Sequence, residues 1–281
     1  MTEQYAEVNG IKICYEIHGD GEPLLLVHGW GGSKEGWFVQ VNALSKYFKC
    51  IIFDNRGAGK SSKPNYPYTM DMYADDINGL LDFLNIERTH LLGESLGGMI
   101  ALNFILKYPK RVNKFILINS WPGFPNEQGP EIYSKGKIAY FEELKKDPLN
   151  AFLNATKASY SREFFKMMKE NPKKKFHGIW SVEDLVNRDL ANPVTPEDNE
   201  NAANAVKGHN VTDRLHEIRS PTLLICGEKD RIATLSVQRK MHYLIPNSRF
   251  KVIKDARHGV SKEKAPEVNE IIEDFLNLTD N

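Results

Sequence analysis

The strongest local signal in the chain is the run Leu91-Leu92-Gly93-Glu94-Ser95-Leu96-Gly97-Gly98-Met99-Ile100. It consists of a short apolar strand, a Gly-x-Ser-x-Gly turn and the start of a helix. A serine on such a tight turn has a strained backbone, and glycines two positions before and after it let neighbouring backbones close in. The pattern therefore predicts that the hydroxyl of Ser95 projects above a sheet as a nucleophile, rather than forming part of a plain structural turn.

Short apolar runs on both sides of this turn predict a parallel sheet. The runs 24–27, 50–53, 90–92 and 115–118 are typical of strands buried on both faces, and helical stretches at 34–47, 70–85 and 96–108 alternate with them. The same alternation returns as strand 222–226, helix 235–244, strand 249–253 and helix 268–278. Two β-prone runs around Asn9-Gly10 add a hairpin. We expect an α/β fold whose sheet is covered by helices on both faces.

Residues 121–220 interrupt this alternation, because they contain helix-like segments separated by prolines and no convincing buried strand. We therefore divide the chain into a first core segment at 1–120, an inserted helical cap at 121–220 and a second core segment at 221–281. The first part of the cap is crowded with aromatic residues. These rings either fill the small helical layer or wall an apolar pocket, and both roles are open to different residues.

A serine hydroxyl is a weak nucleophile until a base takes its proton, so a histidine is required elsewhere. The chain has eight histidines, and His258 directly follows the last predicted strand. The carboxyl ends of parallel strands meet at one edge of the sheet, where Ser95 also lies. We predict that His258 is the base and that the other histidines have surface or packing roles.

The base in turn needs an acid that orients it. Asp230 follows strand 222–226 and reaches the same edge of the sheet. Asp255 is the main rival, but it lies only three residues from His258 and would have to fold back within its own loop. The position after strand 115–118 is another place for an acid, yet it holds Asn119 and Ser120. We predict Asp230 as the acid of the triad.

Acyl transfer also requires donors for the oxyanion. The glycines of Val27-His28-Gly29-Trp30-Gly31-Gly32 follow the first buried strand and allow a backbone amide to approach a ligand. We predict that the N–H groups of Trp30 and Leu96 form the substrate-binding oxyanion hole. The side chain of Trp30 either lines the acyl pocket or packs under the cap.

The composition excludes several classes of protein. The chain of 281 residues has 37 Lys and Arg against 37 Asp and Glu, so we expect neither a nucleic acid nor a membrane as partner. Its three cysteines form no Cys-x-x-Cys pair, and we find no leader or membrane-spanning run. We expect a cytoplasmic protein without a metal site. The run Gly57 to Ser61 ends like a phosphate-binding loop, but Asp54 stands where that motif needs glycine.

Charge is unevenly distributed within the predicted cap. Residues 131–175 contain 11 Lys and Arg against 6 Asp and Glu, whereas residues 183–217 contain 3 against 8. The two parts therefore carry opposite net charges of equal size. We expect them to attract each other at the surface, with each exposed ion pair contributing under about 1 kcal/mol.

Five stretches of the chain, in this order, together resemble the α/β-hydrolase superfamily. They are His28-Gly29-Trp30-Gly31, Asp54-Asn55-Arg56-Gly57-Ala58-Gly59-Lys60-Ser61, Gly93-Glu94-Ser95-Leu96-Gly97-Gly98, Gly227-Glu228-Lys229-Asp230 and Arg257-His258-Gly259. The likeness covers nearly the whole chain. It implies an eight-stranded sheet with a helical cap inserted after the sixth strand, and it implies triad roles for Ser95, Asp230 and His258.

This superfamily includes esterases, lactonases, thioesterases, amidases, carbon–carbon hydrolases and perhydrolases, so the fold alone does not name a substrate. We favour a serine hydrolase that cleaves small to medium carboxylic esters without a cofactor, because an ester is the least demanding acyl substrate and no motif indicates a charged binding site. A carbon–carbon bond hydrolase or a lactonase is the alternative within this class. A ligand receptor, whose cap signals to a partner, is the alternative from another class. The sequence carries no signal of oligomeric state.

Overall fold

A computed structural model describes residues 3–124 and 126–277 of the chain. The strands are β1 (Gln4–Val8), β2 (Ile11–His18), β3 (Glu22–Val27), β4 (Phe48–Phe53), β5 (Thr89–Glu94), β6 (Val112–Ile118), β7 (Thr222–Gly227) and β8 (Ser248–Ile253). The α-helices are α1 (Phe38–Leu44), α2 (Met70–Phe83), α3 (Leu96–Lys107), α4 (Gly129–Leu144), α5 (Pro148–Thr156), α6 (Arg162–Glu170), α7 (Val182–Ala191), α8 (Pro196–Val206), α9 (Leu235–Leu244), α10 (Val260–Glu263) and α11 (Ala265–Asn277). The last position of the predicted helix 268–278 lies outside the described residues, as do the outer ends of both predicted core segments and position 125 of the predicted cap.

The predicted α/β fold with an eight-stranded, mostly parallel sheet is confirmed. The strands are ordered β1-β2-β4-β3-β5-β6-β7-β8, with β2 antiparallel to both neighbours and every other adjacent pair parallel. After β3 the chain forms β4 on one side and later places β5 on the other. Loops that leave neighbouring strands in opposite directions open a crevice at their carboxyl ends. This crevice, between β3 and β5, is where the Ser95 turn lies.

Alternate residues of the central strands pack against different helices, so both faces of the sheet are buried. Leu24 and Leu26 of β3 share one apolar cluster with Trp37 and with residues of α1 and α11, whereas Leu25 and Val27 share another with α2 and α3. Continuous apolar runs are therefore required, since neither face meets water. The predicted helix 34–47 is shorter than expected, with a 3-10 turn at Lys34–Trp37 preceding α1.

Helices α4 to α8 and a 3-10 turn at Thr212–Glu217 occupy the chain between β6 and β7, as the break in alternation predicts. The aromatic residues of this region largely pack together, with Phe164, Phe176 and Trp180 in a cluster that also contacts Val39 and Ala265. Its two oppositely charged parts are joined by the ion pairs Lys173–Glu183 at 3.6 Å and Lys175–Asp184 at 2.5 Å. The placement of boundaries at 120 and 220 stays a prediction.

The loop after β4, whose end resembles a phosphate-binding loop, encloses a carboxylate. Asp54 is fully buried and accepts hydrogen bonds from the backbone N–H groups of Lys34 at 2.7 Å and Lys60 at 2.9 Å. A Cβ atom on Gly59 would lie 2.2 Å from the Asp54 carboxyl carbon, so the loop can close only over glycine.

Among the described helices, we find none with the length and apolar character needed to cross a bilayer.

The half-buried His209, which follows α8, makes the stability of the fold depend on pH. Burial lowers the pKa of its imidazole to about 4, and no partner for Nε2 lies within the described part of the chain. The unfolded chain takes up this proton near pH 6.5 and the folded chain does not. Stability is therefore full above about pH 6.5, and we expect a loss of up to about 3 kcal/mol as the pH falls toward 4.

Urea titrations at pH 7.5 and 4.5 measure the free energy of unfolding and test whether His209 causes its loss at low pH. His209→Gln should reduce the pH-dependent loss in unfolding free energy, whereas His216→Gln, at an exposed position, should leave it intact. An unchanged loss in His209→Gln would contradict the assignment.

Candidate active site

The backbone of Ser95 has φ 57° and ψ −123°, a conformation that residues other than glycine rarely adopt. The glycines around it are required by close contacts. A Cβ atom on Gly97 would lie 2.0 Å from the carbonyl oxygen of Val27, and one on Gly93 would lie 2.5 Å from the carbonyl oxygen of Gly97. The Gly-x-Ser-x-Gly spacing therefore lets β5, α3 and the end of β3 pack closely enough to hold the strained serine.

The end of β6 fixes Ser95 from the other side. The Ser95 N–H donates to the carbonyl oxygen of Ile118 at 3.1 Å, and the Ser120 hydroxyl donates to the carbonyl oxygen of Ser95 at 2.8 Å. Both peptide groups that flank the serine are thus anchored. The direction of its hydroxyl is set by backbone contacts rather than by the side chain.

The three residues predicted as a triad form one chain of hydrogen bonds. His258 Nδ1 donates to Asp230 Oδ2 at 2.8 Å, and His258 Nε2 lies 3.0 Å from Ser95 Oγ. Since the carboxylate can only accept, the proton of the neutral imidazole is on Nδ1, and Nε2 is free to accept the proton of the serine. The Asp230 side chain is fully buried and that of His258 is 12% exposed. The geometry suits proton transfer from Ser95 to His258.

The two aspartates that compete for the acid position lie in different surroundings. Asp230 Oδ1 accepts the N–H groups of Ile232 at 2.7 Å and Ala233 at 3.2 Å, which leaves Oδ2 for the histidine. Asp255 is exposed and pairs with Lys229 at the surface. The structure therefore brings Asp230, and not Asp255, to His258.

Asn119, which sequence reasoning considered only as a missing acid, connects the loops that carry Asp230 and His258. Its Nδ2 donates to the carbonyl oxygens of Arg257 at 3.0 Å and His258 at 2.8 Å, and its Oδ1 accepts the N–H of Gly227 at 2.9 Å. The residue is fully buried. In the sequence, only its position at the end of a buried strand, close to the predicted site, indicates such a role.

The loop after β3 lies directly against Ser95. A Cβ atom on Gly29 would be 3.2 Å from Ser95 Cβ and 3.7 Å from Ser95 Oγ. In the described part of the chain, neither the Trp30 N–H nor the Leu96 N–H donates to a backbone or side-chain acceptor. Two free donors beside a nucleophile are what an oxyanion hole requires.

Two side chains fix this loop. His28 Nε2 accepts the N–H of Asn55 at 3.1 Å, so Nδ1 carries the proton and donates to the carbonyl oxygen of Gly29 at 2.8 Å. Burial lowers the pKa of His28, which favours this neutral form. The Trp30 indole N–H donates to Oδ1 of buried Asn199 on α8 at 3.1 Å, and Tyr133 of α4 packs against the ring with centroids 5.0 Å apart. The Trp30 side chain thus contacts the inserted helices, and Trp30 and Tyr133 also line the cavity described next.

A cavity of about 540 Å³ opens onto Ser95 and His258. Residues of the loop after β3 and of α4, α5 and α7 line this cavity. Ile132, which is 65% exposed, and Ile232, which is 38% exposed, are also among its lining residues. The volume is sufficient for a small organic substrate.

Charged side chains line this cavity, although the sequence shows no motif for a charged binding site. They are Glu94, Lys137, Arg188, Asp189 and Lys262. Arg188 donates through Nε at 2.8 Å and through Nη2 at 2.5 Å to Asp189 Oδ1, and the Tyr140 hydroxyl donates to Asp189 Oδ2 at 2.6 Å. The sequence gives no sign of these charges because most of the residues are far apart in the chain and meet only when the helices pack over the sheet.

Known proteins resemble this chain in both sequence and fold. A family model described as the alpha/beta hydrolase fold matches residues 22–265. The 2-hydroxy-6-oxononadienedioate/2-hydroxy-6-oxononatrienedioate hydrolase of Paraburkholderia phymatum is 32% identical over 98% of this chain and 96% of its own. The enol-lactonase from Burkholderia xenovorans has a TM-score of 0.81 and 25% identity, covering 98% of this chain and 100% of its own. A thermophilic esterase from Thermogutta terrifontis has a TM-score of 0.81 and 26% identity, covering 98% of both chains.

The crowding at Gly97 predicts that Gly97→Ala is strongly destabilising, by about 3 kcal/mol, because the added methyl group meets a main-chain oxygen that cannot move aside. Gly136 of α4 is the matched control, since a Cβ atom there meets nothing within 4 Å. Gly136→Ala should be neutral or stabilise the helix by up to about 1 kcal/mol. Urea unfolding of both variants measures the difference, and equal stabilities would refute the packing argument.

Proposed function

This chain belongs to the α/β-hydrolase fold family, and from that premise we propose that it is a serine hydrolase that cleaves small to medium carboxylic esters. The observation that carries the proposal is the hydrogen-bonded chain from Ser95 through His258 to Asp230 at the wall of a cavity. A hydroxyl, an imidazole and a buried carboxylate in this order are the groups that nucleophilic acyl transfer requires.

In the first half of the reaction, Ser95 Oγ attacks the ester carbonyl carbon while its proton passes to His258 Nε2. Asp230 Oδ2, which accepts the Nδ1 proton at 2.8 Å, keeps the imidazole in position and stabilises the imidazolium. The N–H groups of Trp30 and Leu96 donate to the oxyanion of the tetrahedral intermediate. Losing one such donor typically costs on the order of 3 kcal/mol of transition-state stabilisation.

In the second half, the intermediate expels the alcohol, which takes the proton from His258, and an acyl group remains on Ser95. Water then attacks this acyl-enzyme, and His258 accepts its proton. Collapse of the second intermediate returns that proton to Ser95 Oγ and releases the carboxylic acid. Ester and water are consumed, alcohol and acid are formed, and the enzyme is regenerated.

The inserted helices limit which esters fit. Within the proposal, residues 121–220 act as a cap that closes the site, and the cavity of about 540 Å³ sets the size of the acyl group. Partly exposed Ile132 and Ile232 give an apolar surface for the alcohol part. We expect rates on p-nitrophenyl esters to fall sharply once the acyl chain exceeds the cavity.

Hydrolysis of a carbon–carbon bond is the second candidate. It is favoured by the relative that is 32% identical over 98% of the chain and is named for a 2-hydroxy-6-oxo-dienedioate. In such a substrate the bond that breaks joins the ketone carbon to another carbon, and that leaving carbon must be protonated. In an ester the leaving atom is the alcohol oxygen. A lactone, as named for the enol-lactonase, undergoes the ester reaction within a ring.

Ser95→Ala tests the proposed nucleophile. We expect kcat on p-nitrophenyl acetate and butyrate to fall by about 10⁴-fold or more, because removing a triad nucleophile leaves only the residual effect of binding and the oxyanion hole. Thermal unfolding should match the wild-type protein, since the change removes one hydroxyl. An unchanged rate would refute the assignment.

Assays of esters and of a 2-hydroxy-6-oxo-dienedioate, run in parallel, distinguish the candidate functions. Many turnovers per molecule on esters would support the ester proposal over a ligand receptor. If a 2-hydroxy-6-oxo-dienedioate were cleaved in a Ser95-dependent way and esters were not, the carbon–carbon candidate would replace it.

A further inference from the structure

Lys137 of α4 places an ammonium group in the wall of the Ser95 cavity. Its side chain lies against Gly31, where a Cβ atom would be 3.3 Å from Lys137 Cδ and 3.5 Å from Lys137 Nζ. Gly31 is only two residues beyond Gly29, which contacts Ser95. The ammonium is therefore held beside the loop that carries the oxyanion donors.

Two aromatic rings on the same helix position this ammonium. Lys137 Nζ lies 5.7 Å from the ring centre of Tyr133 and 5.9 Å from that of Tyr140. These residues are one turn before and one turn after the lysine, so the helix itself sets the arrangement. Cation–π contacts orient an ammonium but leave its charge in place.

The two carboxylates of the cavity already have cationic partners. Asp189 is bound by Arg188, and Glu94 lies 3.9 Å from Lys262 Nζ while accepting the Ser261 hydroxyl at 2.6 Å. In contrast, no carboxylate among residues 3–124 and 126–277 lies within ion-pairing distance of Lys137. The lining therefore carries one positive charge in excess, and it belongs to Lys137.

We propose that Lys137 binds a carboxylate at the far end of the acyl group, so that the preferred substrates are half-esters of short dicarboxylic acids. This inference rests on the proposed ester hydrolysis. In this arrangement the ester carbonyl lies at Ser95, and the free carboxylate lies against the ammonium of Lys137, since both side chains line the same cavity. A charge-assisted hydrogen bond in a partly dehydrated site favours such a ligand over a neutral one.

Matched substrates test this specificity. Monomethyl glutarate carries the terminal carboxylate, and methyl 5-oxohexanoate replaces it with an acetyl group of similar size. We expect wild-type kcat/KM to be at least about 10-fold higher for monomethyl glutarate, mainly through KM, with the preference weakening as NaCl is added. Monomethyl succinate and adipate measure the best separation between ester and carboxylate.

Variants of Lys137 assign the effect to one side chain. The ratio of the two kcat/KM values should fall to near one in Lys137→Met, persist in Lys137→Arg and invert in Lys137→Glu. Lys135→Met is the control, because Lys135 is exposed on the same helix and pairs with Glu131 at 2.7 Å. Circular dichroism and thermal unfolding verify that each variant is folded.

Binding to Ser95→Ala separates this inference from the proposed function. Calorimetry with glutarate should show binding that weakens about 10-fold when Lys137→Met is added. Lys137-dependent binding without ester turnover would overturn the proposed function and support the carboxylate site. Ester turnover with the same substrate ratio in wild-type protein and in Lys137→Met would overturn the carboxylate site and leave the proposed function standing.

Discussion

The main chain at Ser95 is held in a conformation that costs roughly 1–3 kcal/mol, and the surrounding structure supplies the contacts that maintain it. The end of β6 binds the peptide groups before and after the serine, and the end of β3 approaches so closely that Gly97 cannot carry a side chain. The same packing that strains the serine therefore brings the loop of Gly29 and Trp30 against its hydroxyl. One backbone constraint therefore sets the positions of both the candidate nucleophile and the candidate oxyanion donors.

The remaining chemistry depends on the convergence of strand ends. Asp230 and His258 follow β7 and β8, and Asn119 follows β6, the strand between β7 and the strand that leads to Ser95. Through three hydrogen bonds this one buried amide ties the loop of His258 to the carboxyl end of β7. A misplacement of about 1 Å can slow catalysis about 100-fold, so fixing the loops matters as much as supplying the side chains.

The helices between β6 and β7 contact the loop after β3 and line the cavity. Asn199 of α8 holds the indole of Trp30, and α4 brings Lys137 to the same loop. The helical region thus contacts the backbone that would stabilise the transition state. The chain has 37 basic and 37 acidic residues, but its charge is unevenly distributed. The two parts of the region between β6 and β7 carry opposite net charges and are joined by surface ion pairs. Among the described residues that line the cavity, the positive charges exceed the negative charges by one.

The nucleophile turn, the buried strands and the chain positions of Asp230 and His258 could be predicted because each depends on spacing within a few residues. Apolar runs form strands buried on both faces, and glycines permit close approach, whatever the rest of the chain does. The contacts of Asn119, Asn199 and Lys137 could not be predicted, because each joins residues more than a hundred positions apart in the chain. Local patterns determined the fold and the candidate reacting groups. Only long-range packing of the inserted helices over the sheet edge decided the charge, walls and size of the cavity, since those properties arise from side chains that share no pattern in the sequence.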